Sequence, residues 1–125
     1  MKINSPKIWR WLLGLQLLVM LIIMSTAYMG KPIVEYKGYD LYLHFLLFGF
    51  TSYLAYRASN RKKIAFTYAI LPFWPLIFLL FSCTEECLQA FSSHRTFSLL
   101  DMSANILGIT SFYLIDRFWI QKSAV

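Results

Sequence analysis

The sequence predicts an all-α fold: a polytopic membrane protein of about four transmembrane helices in a small bundle. Three observations carry that expectation. Hydrophobic residues make up 58% of the chain and charged residues only 14%, where a soluble domain carries about a quarter charged. The apolar residues gather into charge-free runs close to the length needed to cross a bilayer. Lysine and arginine collect at alternate boundaries between those runs. With 125 residues there is room for a single domain, 1–125.

The first run, from Trp11 to Gly30, is uninterrupted by charge and long enough to span. Lys2, Lys7 and Arg10 precede it, and Ser25-Thr26-Ala27 has the small residues of a cleavage site. A run this long reads as an uncleaved anchor rather than a signal peptide. The second run, Leu41 to Tyr56, is broken only by His44. The third, Ile64 to Thr84, contains Pro72-Phe73-Trp74-Pro75, so a kinked helix is expected. The fourth centres on Met102 to Ile115 and draws its flanks into the boundary, with Trp119 as an interfacial anchor. The expected spans are thus about 9–30, 40–57, 64–85 and 98–119. Ala104, Gly108 and Ser111 form a small-residue stripe on the fourth, where another helix can approach closely.

Charge fixes the expected orientation. Lys2, Lys7, Arg10, Arg57, Arg61, Lys62, Lys63, Arg117 and Lys122 fall on one side, against Lys31, Lys37 and Arg95 on the other. The basic side is cytoplasmic by the positive-inside rule, which places both ends of the bundle inside. The net charge of +6 does not signal nucleic-acid binding, because the basic residues sit between apolar runs rather than on a solvated face. Cys83 and Cys87, four apart on one helix, are poorly placed for a disulfide and read as packing residues. No spacing of ligands indicates a metal, and no motif indicates a cofactor.

On this topology the rare polar residues converge on the outer face. Asp40 and His44 open the second span, Glu85, Glu86 and Gln89 close the third, and Arg95 lies in the following loop. Asp101 and Asn105 open the fourth span, one helical turn apart. Each residue also has a plain structural reading. Ser98-Leu99-Leu100-Asp101 fits a capping box, with Asp101 reaching back to the Ser98 amide. Asp40 fits a helix cap, Glu85 a solvated loop charge, and Glu86 with Arg95 an ion pair locking the outer loop.

The run Glu86-Cys87-Leu88-Gln89, then Arg95, Asp101, Asn105 and Gly108, resembles a signature of the VanZ-like family. Asp40, His44 and Phe48 resemble that family's first signature. Leu41, Ser93-His94 and Glu85 depart from its usual residues. The resemblance implies a small integral membrane protein of the cell envelope, in a family whose namesake is associated with teicoplanin resistance. It singles out His44, Glu86, Gln89, Arg95, Asp101 and Asn105, the residues the outer-face convergence had already selected.

Three functions fit this arrangement. The first is an outer-leaflet binding protein for an anionic lipid-linked or amphiphilic molecule, with Arg95 on the anionic group. The second is an intramembrane hydrolase or transferase with His44 or Glu86 as base and Asp101 orienting it. The third is an accessory subunit, bound to another membrane protein, whose polar cluster locks the bundle.

Overall fold

A computed structural model describes residues 5–33 and 39–123. It contains four main helices: α1 (Pro6–Tyr28), α2 (Tyr39–Ala58), α3 (Phe73–Gln89) and α4 (Leu99–Ile115). A short antiparallel hairpin, β1 (Lys63–Ala65) and β2 (Ile70–Pro72), joins α2 to α3 with Lys63 opposite Pro72. α4 continues through a π-helical turn, Asp116–Ile120, into a last turn of α-helix, Gln121–Ser123. The chain is therefore all-α with one small hairpin. The helices alternate in direction, and α2 is the hub, packing against α1, α3 and α4.

The helix ends follow from local chemistry. Pro6 stands in the first turn of α1, where its missing N–H is no loss. α1 ends at Gly30, whose φ of 75° allows the Lys31 amide to return to the Thr26 carbonyl at 2.9 Å. α2 ends in the same motif, with the Arg61 amide on the Tyr56 carbonyl at 2.8 Å. Here the left-handed residues are Asn60 and Arg61, at φ 54° and 57°. Asn tolerates this conformation, whereas arginine enters it at a cost. The cost is met by Asp116, which accepts from Arg61 Nε at 2.7 Å and from Nη2 at 3.0 Å. These bonds hold the Arg61 pKa above its ordinary value.

The third helix differs from the sequence expectation. The apolar run from Ile64 does not begin a span at residue 64; residues 63–72 form the hairpin, and helix starts only at Phe73. The prolines therefore do not kink a helix. Pro72 is the extended residue that caps α3, and Pro75 lies in its first turn, where no intrahelical donor is required.

Packing turns on two glycines. A Cβ on Gly49 would lie 2.7 Å from the Gly108 carbonyl oxygen, and one on Gly108 would strike the Phe45 carbonyl. The backbones of α2 and α4 thus touch, as the small-residue stripe predicted for Gly108; Ala104 is half-buried one turn earlier. Met20, Phe48, Ala55, Phe78 and Ile109 fill the apolar core around this contact.

Beyond this core and the buried Leu54 and Tyr56, the interior is largely polar. Thr51, Ser52, Ser82, Glu85, Glu86, Gln89, Asn105 and Asp116 are buried. Large apolar side chains face outward instead, among them Trp11 at 82% exposure, Leu21 at 63%, Leu107 at 60% and Trp119 at 76%. Among the described residues one helix, α1, is long and apolar enough to cross a membrane. At one end of the bundle Asp116, fully buried, pairs with Arg57 at 2.9 Å and with Arg61. The Arg57 guanidinium also lies 4.3 Å from the Trp9 ring, tying in the start of α1.

Two substitutions test this frame. Asp116→Ala leaves two arginines without their shared carboxylate and should cost about 3–5 kcal/mol in reversible unfolding in mixed micelles. Gly108→Val forces α2 and α4 apart and should cost about 1–3 kcal/mol. Wild-type unfolding curves for either variant would contradict the packing described.

Candidate functional site

The end of the bundle opposite Asp116 gathers the polar residues. The end of α1, the start of α2, the end of α3 and the start of α4 all meet there. His44 is at the centre. Its ring lies parallel to Phe48 at 6.2 Å, which fixes its plane. Its Nδ1 is 3.0 Å from Asn105 Oδ1, so Nδ1 carries the proton and donates. Its other ring nitrogen, Nε2, lies 3.5 Å from Arg95 Nη2. Asp101 Oδ2 stands 3.7 Å from the same Nε2.

Four of the six residues singled out by sequence are thus in direct contact: His44, Arg95, Asp101 and Asn105. Glu86 joins them through Ser98, and Gln89 lines the same crevice as His44 and Arg95. Gln89 Nε2 donates to Glu85 Oε1 at 2.7 Å, and the Tyr28 hydroxyl donates to the same oxygen at 3.0 Å. Glu85 is therefore a buried anchor between α1 and α3, not the solvated loop charge expected. Tyr28 belongs to this network and had no marker in the sequence beyond its place at the end of an apolar run.

Glu86 has an unexpected role. The Ser98 hydroxyl accepts from the Asp101 amide at 3.2 Å, which is half of the expected capping box. The other half is absent: the Ser98 amide donates to Glu86 Oε1 at 2.8 Å instead of to Asp101. Glu86 thereby caps α4 from α3, and the Asp101 carboxylate is released toward His44. The expected Glu86–Arg95 ion pair does not form; among the described residues Arg95 has no carboxylate within 4.0 Å. Asp40 lies in the first turn of α2, favourably placed for the helix dipole.

A narrow crevice of about 40 Å³ opens beside His44 and Arg95, with Tyr28, Asp40, Glu85 and Gln89 on its walls. A longer apolar groove of about 310 Å³ runs between α1 and α3, lined by Leu17, Trp74, Ile77 and Phe81. Met24 borders both. Cys83 and Cys87 are free thiols, half-buried and exposed respectively. Among the described residues no three His, Cys, Asp or Glu side chains converge as a metal-binding group.

Compared with known protein families, curated proteins and solved structures, the chain matches none. The VanZ-like resemblance accordingly rests on residue spacing alone, and the chemistry of the site has to be read from its own geometry. That geometry offers a half-buried guanidinium with no carboxylate within 4.0 Å among the described residues, a histidine held by Asn105 beside it, and an apolar groove nearby.

The cap formed by Glu86 is testable. Glu86→Gln retains an acceptor for the Ser98 amide and should leave amide exchange at the start of α4 near wild type. Glu86→Leu strands that amide and should cost about 1–3 kcal/mol locally, seen as faster hydrogen exchange at residues 98–101. Equal protection in both variants would remove Glu86 from this role.

Proposed function

We propose that this chain is a four-span membrane protein whose outer polar site holds the anionic group of an amphiphilic envelope molecule, in the manner of a VanZ-like protein. The observation that carries the reading is Arg95, a half-buried guanidinium lining the crevice, 3.5 Å from His44 Nε2 and with no carboxylate within 4.0 Å among the described residues. Arginine offers five N–H donors in a planar fork suited to phosphate or carboxylate. Of the neighbouring carboxylates, Glu85 is held through Oε1 by Tyr28 and Gln89, and Glu86 through Oε1 by the Ser98 amide.

The inverted distribution of polarity supports the membrane setting. Apolar side chains on the outside and hydrogen-bonded polar ones within suit a lipid solvent and would aggregate in water. Seventeen-residue α3 and α4 rise about 26 Å each, close to the roughly 30 Å of hydrocarbon. The hairpin then lies at the basic, cytoplasmic boundary, because open strand edges are not tolerated in lipid. Nine basic residues at that boundary against three at the other orient the bundle with both ends inside.

A second reading has its own support. His44 Nδ1 is held by Asn105 and its Nε2 stands near Asp101, the placement an oriented general base would need. That reading makes the site a hydrolase or transferase acting on a lipid-linked substrate. It requires turnover, whereas the binding reading requires only retention.

Binding is tested with phosphatidic acid on the purified full chain in non-ionic detergent, by native mass spectrometry. Arg95→Ala should lower retention about ten- to a hundredfold, and Arg95→Lys should recover it only in part, because the planar fork is lost. Unchanged retention in both variants ends the proposal. Orientation is tested separately: in a Cys83→Ser, Cys87→Ser background, cysteine placed at Lys62 should resist an impermeant maleimide added outside intact cells. Labelling there from outside reverses the topology.

A further inference from the structure

The site holds more acceptors than its own donors satisfy. Glu85 Oε2, Glu86 Oε2 and Gln89 Oε1 are buried with no hydrogen-bond partner among the described residues, against a single such donor, Asn105 Nδ2. Gln89 and Glu85, at 1% and 6% exposure, both line the crevice. A buried acceptor without a donor costs about 1–3 kcal/mol, so these atoms favour a molecule that brings donors. Charge points the same way. Asp40, Glu85, Glu86 and Asp101 gather at the same end of the bundle as Arg95 and His44. Arg95, at the rim, keeps donors to spare for an anion, yet no carboxylate reaches it within 4.0 Å among the described residues. Spare donors and spare acceptors therefore line one crevice.

Resting on the reading above, we propose that the crevice recognises a phospholipid headgroup carrying a primary ammonium next to its phosphate. The phosphate sits on Arg95, and the ammonium enters toward Glu85 Oε2 and Gln89 Oε1. A primary ammonium supplies three N–H donors and a positive charge, which answers both the orphaned acceptors and the surplus of carboxylates. Size discriminates further. A space of about 40 Å³ holds only a few water-sized groups, so an ammonium fits and a trimethylammonium, bulky and without N–H, does not. The tail lies in the α1–α3 groove. Met24 borders both this groove and the crevice.

The test compares phosphatidylethanolamine with phosphatidylcholine of identical tails on the purified full chain, by native mass spectrometry. These lipids share net charge and differ in whether the ammonium carries protons. Wild type should prefer the ethanolamine lipid at least tenfold. Gln89→Leu should erase the preference, and Gln89→Glu, which keeps an acceptor, should preserve it, so a folding defect is separated from lost recognition. Free phosphoethanolamine, lacking tails, should fail to displace the bound lipid. Equal binding of the two lipids by wild type, a preference that survives Gln89→Leu, or full displacement by free phosphoethanolamine overturns the proposal. If Arg95-dependent binding of phosphatidic acid persists meanwhile, this inference alone falls. If that binding is also missing, the function proposed above falls with it.

Discussion

The bundle depends on the backbone contact between α2 and α4 at Gly49 and Gly108. Both helices run in the same direction from this point, so equal steps along each keep side chains level. Arg57 lies eight residues beyond Gly49, and Asp116 eight beyond Gly108, which brings the two to 2.9 Å. In the other direction His44 and Asn105 stand five and three residues before the glycines and meet at 3.0 Å. A side chain at either glycine would push apart both polar ends at once. The two sites are thus set by one register, although no residue joins them directly.

Polarity is distributed to suit that register. An interior rich in Thr, Ser, Gln, Asn and carboxylates gains nothing from apolar burial, so its cohesion comes from hydrogen bonds that have few competitors once water is excluded. Gln16 to Thr51 at 3.3 Å, Tyr28 to Glu85 and Glu86 to Ser98 each tie a different pair of segments. The apolar core proper is small.

Much of the outer cluster was legible in the sequence because charge is conspicuous in an apolar chain. His44, Arg95, Asp101 and Asn105 stood out for that reason, and helical spacing aligned the last two. Asp116 was passed over because Arg117 and Lys122 beside it made the segment read as a basic flank. Its marker was the matched offset of eight from Gly108, which has meaning only once Gly49 is known to oppose it. The start of α3 was misread because hydropathy cannot tell a short apolar hairpin from the first turns of a helix. The two prolines held the information, as first-turn residues rather than as a kink. Glu86 as a cap on α4 was beyond sequence reading, since a capping box is written within one segment and this cap crosses from another.

That crossing bond has a mechanical consequence. By joining Glu86 to the Ser98 amide, twelve residues on, it closes the α3–α4 connection into a hydrogen-bonded ring with Arg95 inside it. His94 braces the ring from below, its imidazole packed where a Cβ on Gly30 would lie. A loop of this length left open would sample many shapes, and each encounter at Arg95 would first have to select one. Closed as it is, the ring holds the guanidinium on station before anything arrives, and the conformational search is completed during folding rather than at the encounter.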